Sequence, residues 1–476
     1  MTEERDAVAT EARDAIVIGA GPAGMAAATL LARHGASVLL LDEQATPGGQ
    51  IYRGIELASP RLRDVLGPDY RHGAGLTAAL RDSGAEFCPQ STVWQVTPER
   101  EIWFTRADTS GRISASVVIV AVGAMERPVP VPGWTLPGVM MAGGVQALLK
   151  TAALRPAPGE FVLAGAGPLL WLVAAQCLAA GSRPAAVLDT NTGAAQLAAL
   201  RLLPRGLRGA GWRYLAKGLT AMAAVQRAGV PIHRAAHDLT IEAADGTACA
   251  IRFAAGGSQH RIATRLVALH EGVIPAQQMT RAIGCEHEWD AAARCFRPTA
   301  DASGWTSVPG VLVAGDAAGI GGARAAEHAG RLAALAALHR LGRLDAAARD
   351  RLAAPERQAL ASHRALRPFL DALYAPPAAI LTPADDVAVC RCEEVTAGAI
   401  RAAVRQGCLG PNQAKAFLRA GMGPCQGRMC GPVVSEIIAA ERGVSVAETG
   451  FLRIRPPIKP ITLGELAALE PGPVLL

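Results

Sequence analysis

The sequence predicts an α/β protein in which two doubly wound dinucleotide-binding folds are followed by a small helical module built around four cysteines. Three observations carry this expectation. A strand, glycine turn, helix and second strand run from about residue 14 to residue 42, a similar unit occupies Glu160 to Asp189, and four of the ten cysteines gather in two close pairs near the end of the chain. At roughly 100–200 residues per domain, 476 residues, half of them apolar, can bury separate cores for all three units.

The first unit opens with Gly19-Ala-Gly21-Pro22-Ala23-Gly24 between the apolar run Ala15–Ile18 and a helical stretch from Met25 to His34. Gly19 permits the tight turn, Gly21 lets backbone approach a diphosphate, and Gly24 lets helix and strand pack closely. Free N–H groups at the helix start then hold negative charge. An acid should follow roughly 20 residues on to accept from a ribose hydroxyl, and Asp42 and Glu43 are both candidates.

This fingerprint alone fits NAD as well as FAD. Pro47-Gly-Gly49-Gln50 follows the second strand, Val122-Gly123-Ala124 follows the buried strand Val117–Val122, and Gly315-Asp316 follows the strand Val311–Ala314. In that order the four signals resemble the glutathione and thioredoxin reductase class of flavoproteins over about the first 345 residues. The resemblance implies FAD in the first fold, with Asp316 bonded to the flavin ribityl chain and a helix from near Ala317 directing its N-terminus at the cofactor. The bland alternative is a solvated aspartate at a strand end.

In the second fold Gly165-Ala-Gly167-Pro-Leu-Leu170 carries Leu170 where the third glycine belongs. A leucine there should push the helix off the strand and loosen the phosphate cradle. Asp189 could still serve a 2′-hydroxyl, which keeps open a self-sufficient NADH-dependent flavoprotein reductase. No Cys-x-x-Cys lies in the flavoprotein part, which argues against thiol–disulfide exchange. His270, Glu271 and His328 read as structural polar groups, and no local pattern names a catalytic residue.

The formal charge of +6 is scattered arginine, with lysine only at positions 150, 217, 415 and 459, and no basic stripe suggests nucleic acid. Residues 1–15 are polar and acidic where a signal peptide needs a basic start and an apolar core, so a cytoplasmic protein is expected. The apolar run Phe161–Gly181 is broken by its glycine turn and reads as a buried strand and helix, not a membrane span. Pro128, Pro130, Pro132 and Pro137 make an extended connector. The expected boundaries are 1–148 with 273–345 for a discontinuous first fold, 149–272 for the second, 346–384 for a linker, 385–445 for the cysteine module and 446–476 for an extended tail.

Cys88, Cys177, Cys249, Cys285, Cys295 and Cys408 are isolated and read as small buried hydrophobes. Cys390-Arg-Cys392 and Cys425-Gln-Gly-Arg-Met-Cys430 supply four thiolates, the set a [2Fe-2S] cluster takes, two for each iron. Arg391, Arg428 and Lys415 could offset the cluster's charge. Structural zinc is the competing ligand, although one- and four-residue spacings are unusual for it. About residues 387–440 resemble the bacterioferritin-associated ferredoxin-like [2Fe-2S] fold. That family commonly closes with Cys-x-x-Cys, so the wider second pair, Cys425 and Cys430, departs from it.

The two folds, the segment Glu126-Arg-Pro-Val-Pro-Val-Pro-Gly-Trp134 and the terminal cysteines together resemble one family over nearly the whole chain. It is the larger subunit of heteromeric opine oxidases, D-hydroxyproline dehydrogenases, dye-linked L-proline dehydrogenases and hydrogen cyanide synthase. The resemblance implies oxidation of an amino acid, imino acid or opine on a D-amino-acid-oxidase-like partner with its own FAD, and allows a small ferredoxin-like subunit. Electrons would pass through flavin, including an FMN at a subunit interface, and the cluster to a membrane quinone or another acceptor, with no transmembrane segment in this chain. A third reading is an assembly scaffold holding ATP in place of FAD and zinc in place of iron.

Overall fold

The computed structural model describes residues 12–107 and 109–469, so most of the N-terminal segment and the last residues of the tail lie outside the described residues. The first fold is built on β1 (Arg13–Ile18), α1 (Pro22–Arg33) and β2 (Val38–Leu41), followed by short helices α2 (Pro60–Leu66), α3 (Pro68–Arg71) and α4 (Gly73–Arg81). Then come β3 (Glu86–Cys88), the flap strands β4 (Thr92–Val96) and β5 (Glu101–Arg106), and the long β6 (Thr109–Val120). Strand β6 serves twice. Its first half pairs antiparallel with β5, and its second half runs parallel to β1. Because side chains alternate across a strand, Ala15 and Val17 face the core around α1 while Ile16 and Ile18 face the other side of the sheet.

The connector carries β7 (Ala124–Glu126), and the second fold begins at β8 (Val139–Met141) and α5 (Ala142–Ala152), about ten residues before the expected boundary. The cause is pairing: β8 adds in parallel to the edge of the second sheet, and Ala142 and Val145 enter its core. That sheet holds β9 (Phe161–Ala166), α6 (Pro168–Ala179) and β10 (Ala186–Asp189), then helices α7 (Gly193–Leu200), α8 (Leu203–Gly206) and α9 (Gly211–Arg227). It is completed by β11 (Ile232–Arg234) and β15 (Leu266–Glu271), and between these in sequence β12 (His237–Ala244), β13 (Thr247–Ala255) and β14 (Ser258–Ala263) form a separate antiparallel sheet.

The chain re-enters the first fold through β16 (Val273–Pro275), which pairs antiparallel with β7. After α10 (Gln278–Ile283) comes a hairpin, β17 (His287–Asp290) with β18 (Cys295–Pro298). Then β19 (Val311–Val313) joins β6. A helix was expected from near Ala317. Instead Gly315–Ala317 make a single 3-10 turn, and α11 (Ala323–Arg340) starts six residues later because Gly319, Gly321 and Gly322 intervene.

The expected linker is mostly helical: α12 (Ala346–Arg364), α13 (Arg367–Leu373) and α14 (Ala378–Leu381). Leu366 and Phe369 bury against Ala199 of α7, so this segment braces the second fold. The cysteine module comprises β20 (Ala388–Cys390), β21 (Val395–Thr396), α15 (Ala397–Arg405), α16 (Pro411–Leu418) and α17 (Gly431–Arg442). The tail adds α18 (Val446–Thr449) and α19 (Leu463–Ala467), with an extended stretch between them. Phe451, Leu452, Ile454 and Ile458 of that stretch are buried against the first sheet. No helix among the described residues is long and apolar enough to cross a membrane.

Helices α1 and α11 touch backbone to backbone. A Cβ on Gly330 would stand 2.1 Å from the Ala23 carbonyl oxygen, so only glycine fits at that crossing. Gly330→Ala is expected to destabilise the first fold by about 1–3 kcal/mol through overpacking, read as a lower urea midpoint of the flavoprotein part.

Candidate functional site

The glycine turn of the first fold is fixed by sterics on every side. Gly19 sits at φ +103°, and a Cβ there would lie 2.5 Å from the Ala121 carbonyl oxygen; one on Gly24 would lie 1.8 Å from that of Gly19. Gly21 is the N-cap of α1 and Pro22 its first residue, with no side chain bonded over the helix end. The first-turn N–H groups, Ala23 and Gly24 among them, are thus left for an anion. The Pro47–Gln50 loop closes over this turn: Gly48 N donates to Ala20 O at 2.8 Å, and a Cβ on Gly49 would stand 2.7 Å from Gly21 Cα.

The structure separates the two acidic candidates. Asp42 folds back on the turn, accepting from Ala20 N at 2.6 Å and Gln44 N at 2.7 Å. Burial raises its carboxyl above the usual range, against the lowering effect of those two N–H donors. Glu43 turns outward and pairs with Lys459 of the tail at 2.7 Å. Gly123 has φ +70° at the end of the β6 run, and Gly315, φ +72°, presses against Ala23 and Ala326. Asp316 Oδ1 accepts from Gly321 N and Gly322 N at 2.8 and 2.9 Å, holding the loop that enters α11. Apart from Glu43, the residues proposed from sequence for the first fold therefore gather at the carboxyl ends of β1, β2, β6 and β19, the end of the sheet where cofactors of this fold class lie.

Lys150 adds a second support, one that no sequence motif announces. Its ammonium is buried and donates to Gln50 O at 2.9 Å and Gln146 Oε1 at 2.8 Å, with burial pulling it down to about 7. The available signal is compositional: a lysine kept in a chain that writes nearly all its cations as arginine.

In the second fold the corresponding turn is already filled. Gly165 and Gly167 have φ +134° and +133°, and the place of a Cβ on Gly167 lies 2.8 Å from His270 Nε2. His270 is held there by Glu126 at 2.7 Å, and Glu126 also accepts from Gly143 N. Leu170 does not lever α6 away; it is fully buried in the core on the helix's inner side. The imidazole, not the leucine, is the side chain that stands against this turn. Beside it Glu271 accepts from Thr190 Oγ1 at 2.7 Å while its Oε2 has no partner among the described residues. Burial pushes this carboxyl up to about 8. His328 bonds Glu356 at 2.6 Å and stacks on His363, as a structural histidine does.

The four clustered cysteines converge. Cys390 ends β20, Cys430 caps α17, and the Cys430 thiol lies within hydrogen-bonding reach of Cys390. That bond, with N–H groups of Gly421, Glu393 and Cys392, brings Cys390 down to about 6 and pushes Cys430 well up. Cys392 lies against Cys425, whose N–H it accepts, and a Cβ on Gly423 would sit 2.2 Å from Cys392 Cβ. Among the described residues no three His, Cys, Asp or Glu side chains surround one point as a single ion requires. The sulfurs form two pairs, the division a two-iron cluster uses. Of the isolated cysteines all are buried except the half-buried Cys249.

The module is bound to both folds. Trp134 of the connector donates Nε1–H to Ala388 O at 2.7 Å, two residues before Cys390, and Arg391 lies over its ring at 5.2 Å. Arg294 forms a two-pronged pair with Glu436 of α17 at 3.1 and 2.5 Å. Arg127, fully buried next to β7, donates to Ala293 O and Arg294 O.

Comparison with known proteins agrees with this layout. The pyridine nucleotide-disulphide oxidoreductase model matches residues 13–333, and the BFD-like [2Fe-2S] binding domain model matches residues 388–440. The chain is 50% identical to an opine oxidase subunit of Rhizobium meliloti (strain 1021), covering 96% of this chain and 98% of that one. It is 34% identical to hydrogen cyanide synthase subunit HcnB of Pseudomonas aeruginosa, covering 94% and 96%. Among solved structures, L-proline dehydrogenase from P. horikoshii superposes with a TM-score of 0.68 at 18% identity, covering 97% of this chain and 81% of that one.

Glu271 sets a pH dependence. Its carboxyl titrates near 8 in the folded chain and near 4.5 when free, so the folded state keeps a proton that the unfolded chain releases. Native stability is then greatest below pH 4.5 as far as this group is concerned, and it is lost as pH rises through 8. Glu271→Gln should melt with wild type at pH 5 and roughly a few degrees above it at pH 9, as followed by differential scanning calorimetry.

Proposed function

Since this chain belongs to the pyridine nucleotide-disulphide oxidoreductase family and, over nearly its full length, to the family of the opine oxidase subunit it matches, we propose that it is the electron-handling component of a heteromeric dehydrogenase. The complex oxidises an amino acid, imino acid or opine, of which D-hydroxyproline, proline, octopine and nopaline are the candidates. The observation that carries this reading is the pairing of an open first fold with a blocked second one. An anion-ready helix end stands at Gly21, while His270 fills the turn where a nicotinamide nucleotide would deliver electrons. Electrons therefore enter from another subunit, and the relatives that are themselves subunits of an oxidase and a synthase support that.

The residues present fit FAD and a [2Fe-2S] cluster. In the first fold the Gly19–Gly24 turn would hold the diphosphate and Asp42 the ribose, its oxygens each keeping a lone pair beyond those given to Ala20 and Gln44. Gly49, Gln50 and Gly123 would line the ring, and Gly315 and Asp316 the ribityl chain. Glu43, engaged by Lys459, is the less suited of the two acids. Cys390, Cys392, Cys425 and Cys430 would bind the cluster. Together the two groups convert a two-electron uptake into single-electron steps, the chemistry the cofactors bring.

What the chain itself supplies is position. Trp134 and the Arg294–Glu436 pair fix the cysteine strand and helix against both folds. Cys390 and Cys430 are buried while Cys392 is exposed, as is Met422, which leaves one edge of the module open to an acceptor. A D-amino-acid-oxidase-like FAD subunit, a small ferredoxin-like subunit, an interfacial FMN and a cytoplasmic complex at the membrane's inner face, passing electrons to quinone, complete the scheme.

The test is reconstitution. The isolated chain should carry flavin and cluster absorbance yet oxidise opines or imino acids only when the partner subunit is added; strong turnover by the chain alone would overturn the assignment. Cys425→Ser should remove the cluster's visible and EPR signals and spare the flavin band. For the NADH-dependent alternative, favoured by Gly165, Gly167 and Asp189, millimolar NADH added without oxygen should leave the flavin oxidised; rapid bleaching would reinstate it.

A further inference from the structure

The surface made by α7, α8 and α9 differs from the rest of the molecule. Between Asp189 and Asp238 the chain has seven arginines and lysines and no acidic residue. Five large apolar side chains stand out of this surface: Leu197 (70% exposed), Leu200 (54%), Leu207 (39%), Trp212 (55%) and Leu219 (57%). They are not core residues that failed to pack. Helix α7 already buries Ala199 against Leu366 and Phe369, and α9 already buries Ala221 and Val225 beneath the second sheet. On α9, Trp212, Ala216 and Leu219 fall at i, i+4 and i+7, one stripe on the side away from that core. The helix has two apolar faces and the chain covers one of them.

We propose that the α7–α9 surface is the docking site of the substrate-oxidising partner subunit, and that the partner meets it with an apolar patch rimmed by carboxylates. This rests on the heteromeric reading above. An exposed tryptophan and arginines with acids absent match the enrichment seen at protein–protein interfaces. The Arg213 guanidinium lies 5.4 Å over the Trp212 ring, so a rigid anchor of the kind that dominates interface energetics is already assembled. A second copy of this chain is disfavoured, because a two-fold contact would set the same cations against themselves. An acidic rim removes that repulsion and speeds encounter.

Location supplies the second argument. The inner edge of α9 is tied to the first fold: Lys217 pairs with Asp69 of α3, and Tyr214 Oη bonds His363 Nδ1 at 2.7 Å. His363 stacks on His328 of α11, and Arg324 in the first turn of α11 bonds His72, which also bonds Glu327 at 2.9 Å. Helix α9, on which the partner would sit, is thus linked through Tyr214, His363 of α12 and His328 to the helix that leads back to Asp316.

The experiment is co-purification of the full chain, wild type and variants, with its native partner. Trp212→Glu combined with Leu219→Glu should lose the partner at least tenfold in affinity. The variant chain should keep the flavin and cluster spectra and the thermal midpoint of the wild type. Arg205→Glu, an exposed charge reversal that leaves every apolar contact in place, should weaken the complex and flatten its dependence on salt. Partner retained at wild-type affinity by both variants overturns the proposal. So does loss of sedimentation with phosphatidylglycerol vesicles by variants that still hold the partner, since the surface would then face lipid. A wild-type chain that binds no partner at all refutes the heteromeric reading itself, a separate outcome.

Discussion

The closeness of backbone to backbone around α1 is the constraint on which the rest of the structure depends. Gly24 lies against the Gly19 backbone, Gly330 against the Ala23 backbone and Gly315 against the methyls of Ala23 and Ala326, so the first turn of the chain and the Gly315–Gly330 segment meet with nothing larger than a methyl between them. That contact sets the helix end at the cleft and brings the Gly315–Gly322 loop to it. Because β6 runs through the same sheet and continues into the connector, the position of Trp134 follows from the same packing.

Much of this is legible in the sequence because it is local. The turn Gly19–Gly24, the strand ends at Gly123 and Gly315, and the cysteine pairs each announce themselves within a few residues. The choice between Asp42 and Glu43 is not legible, since both follow the end of β2 and only their partners, Ala20 and Lys459, tell which turns back to the glycine turn. The consequence of Leu170 is misjudged from sequence for a related reason. A missing glycine predicts a displaced helix, but here the helix side of that position is core, and the obstruction comes from His270, far along the chain. The span 346–384 looks like a linker because α12 is polar and contains Pro355, whereas its order comes from packing on α11 and α7.

The second fold is put to a different use. Its sheet carries the antiparallel layer against which Trp134, Ile380, Leu381 and Val387 bury, so it forms the wall on which the cysteine module rests. The Glu126–His270 pair stands against the Gly165–Gly167 turn, with Glu271 beside it on Thr190. A fold with the topology of a second cofactor domain serves as a rigid mount between the first fold and the thiols.

The stretch Phe451–Ile458 closes the underside of the first sheet, with Ile458 N donating to Trp94 O at 2.9 Å. A core begun by β1 is therefore completed by residues far downstream of it. That core stays unsealed until Ile458 has left the ribosome, so its last folding step waits for nearly the whole of this sequence to be made. The cysteine module precedes that stretch in the chain, so its thiols are made before the lower half of the flavoprotein core can close.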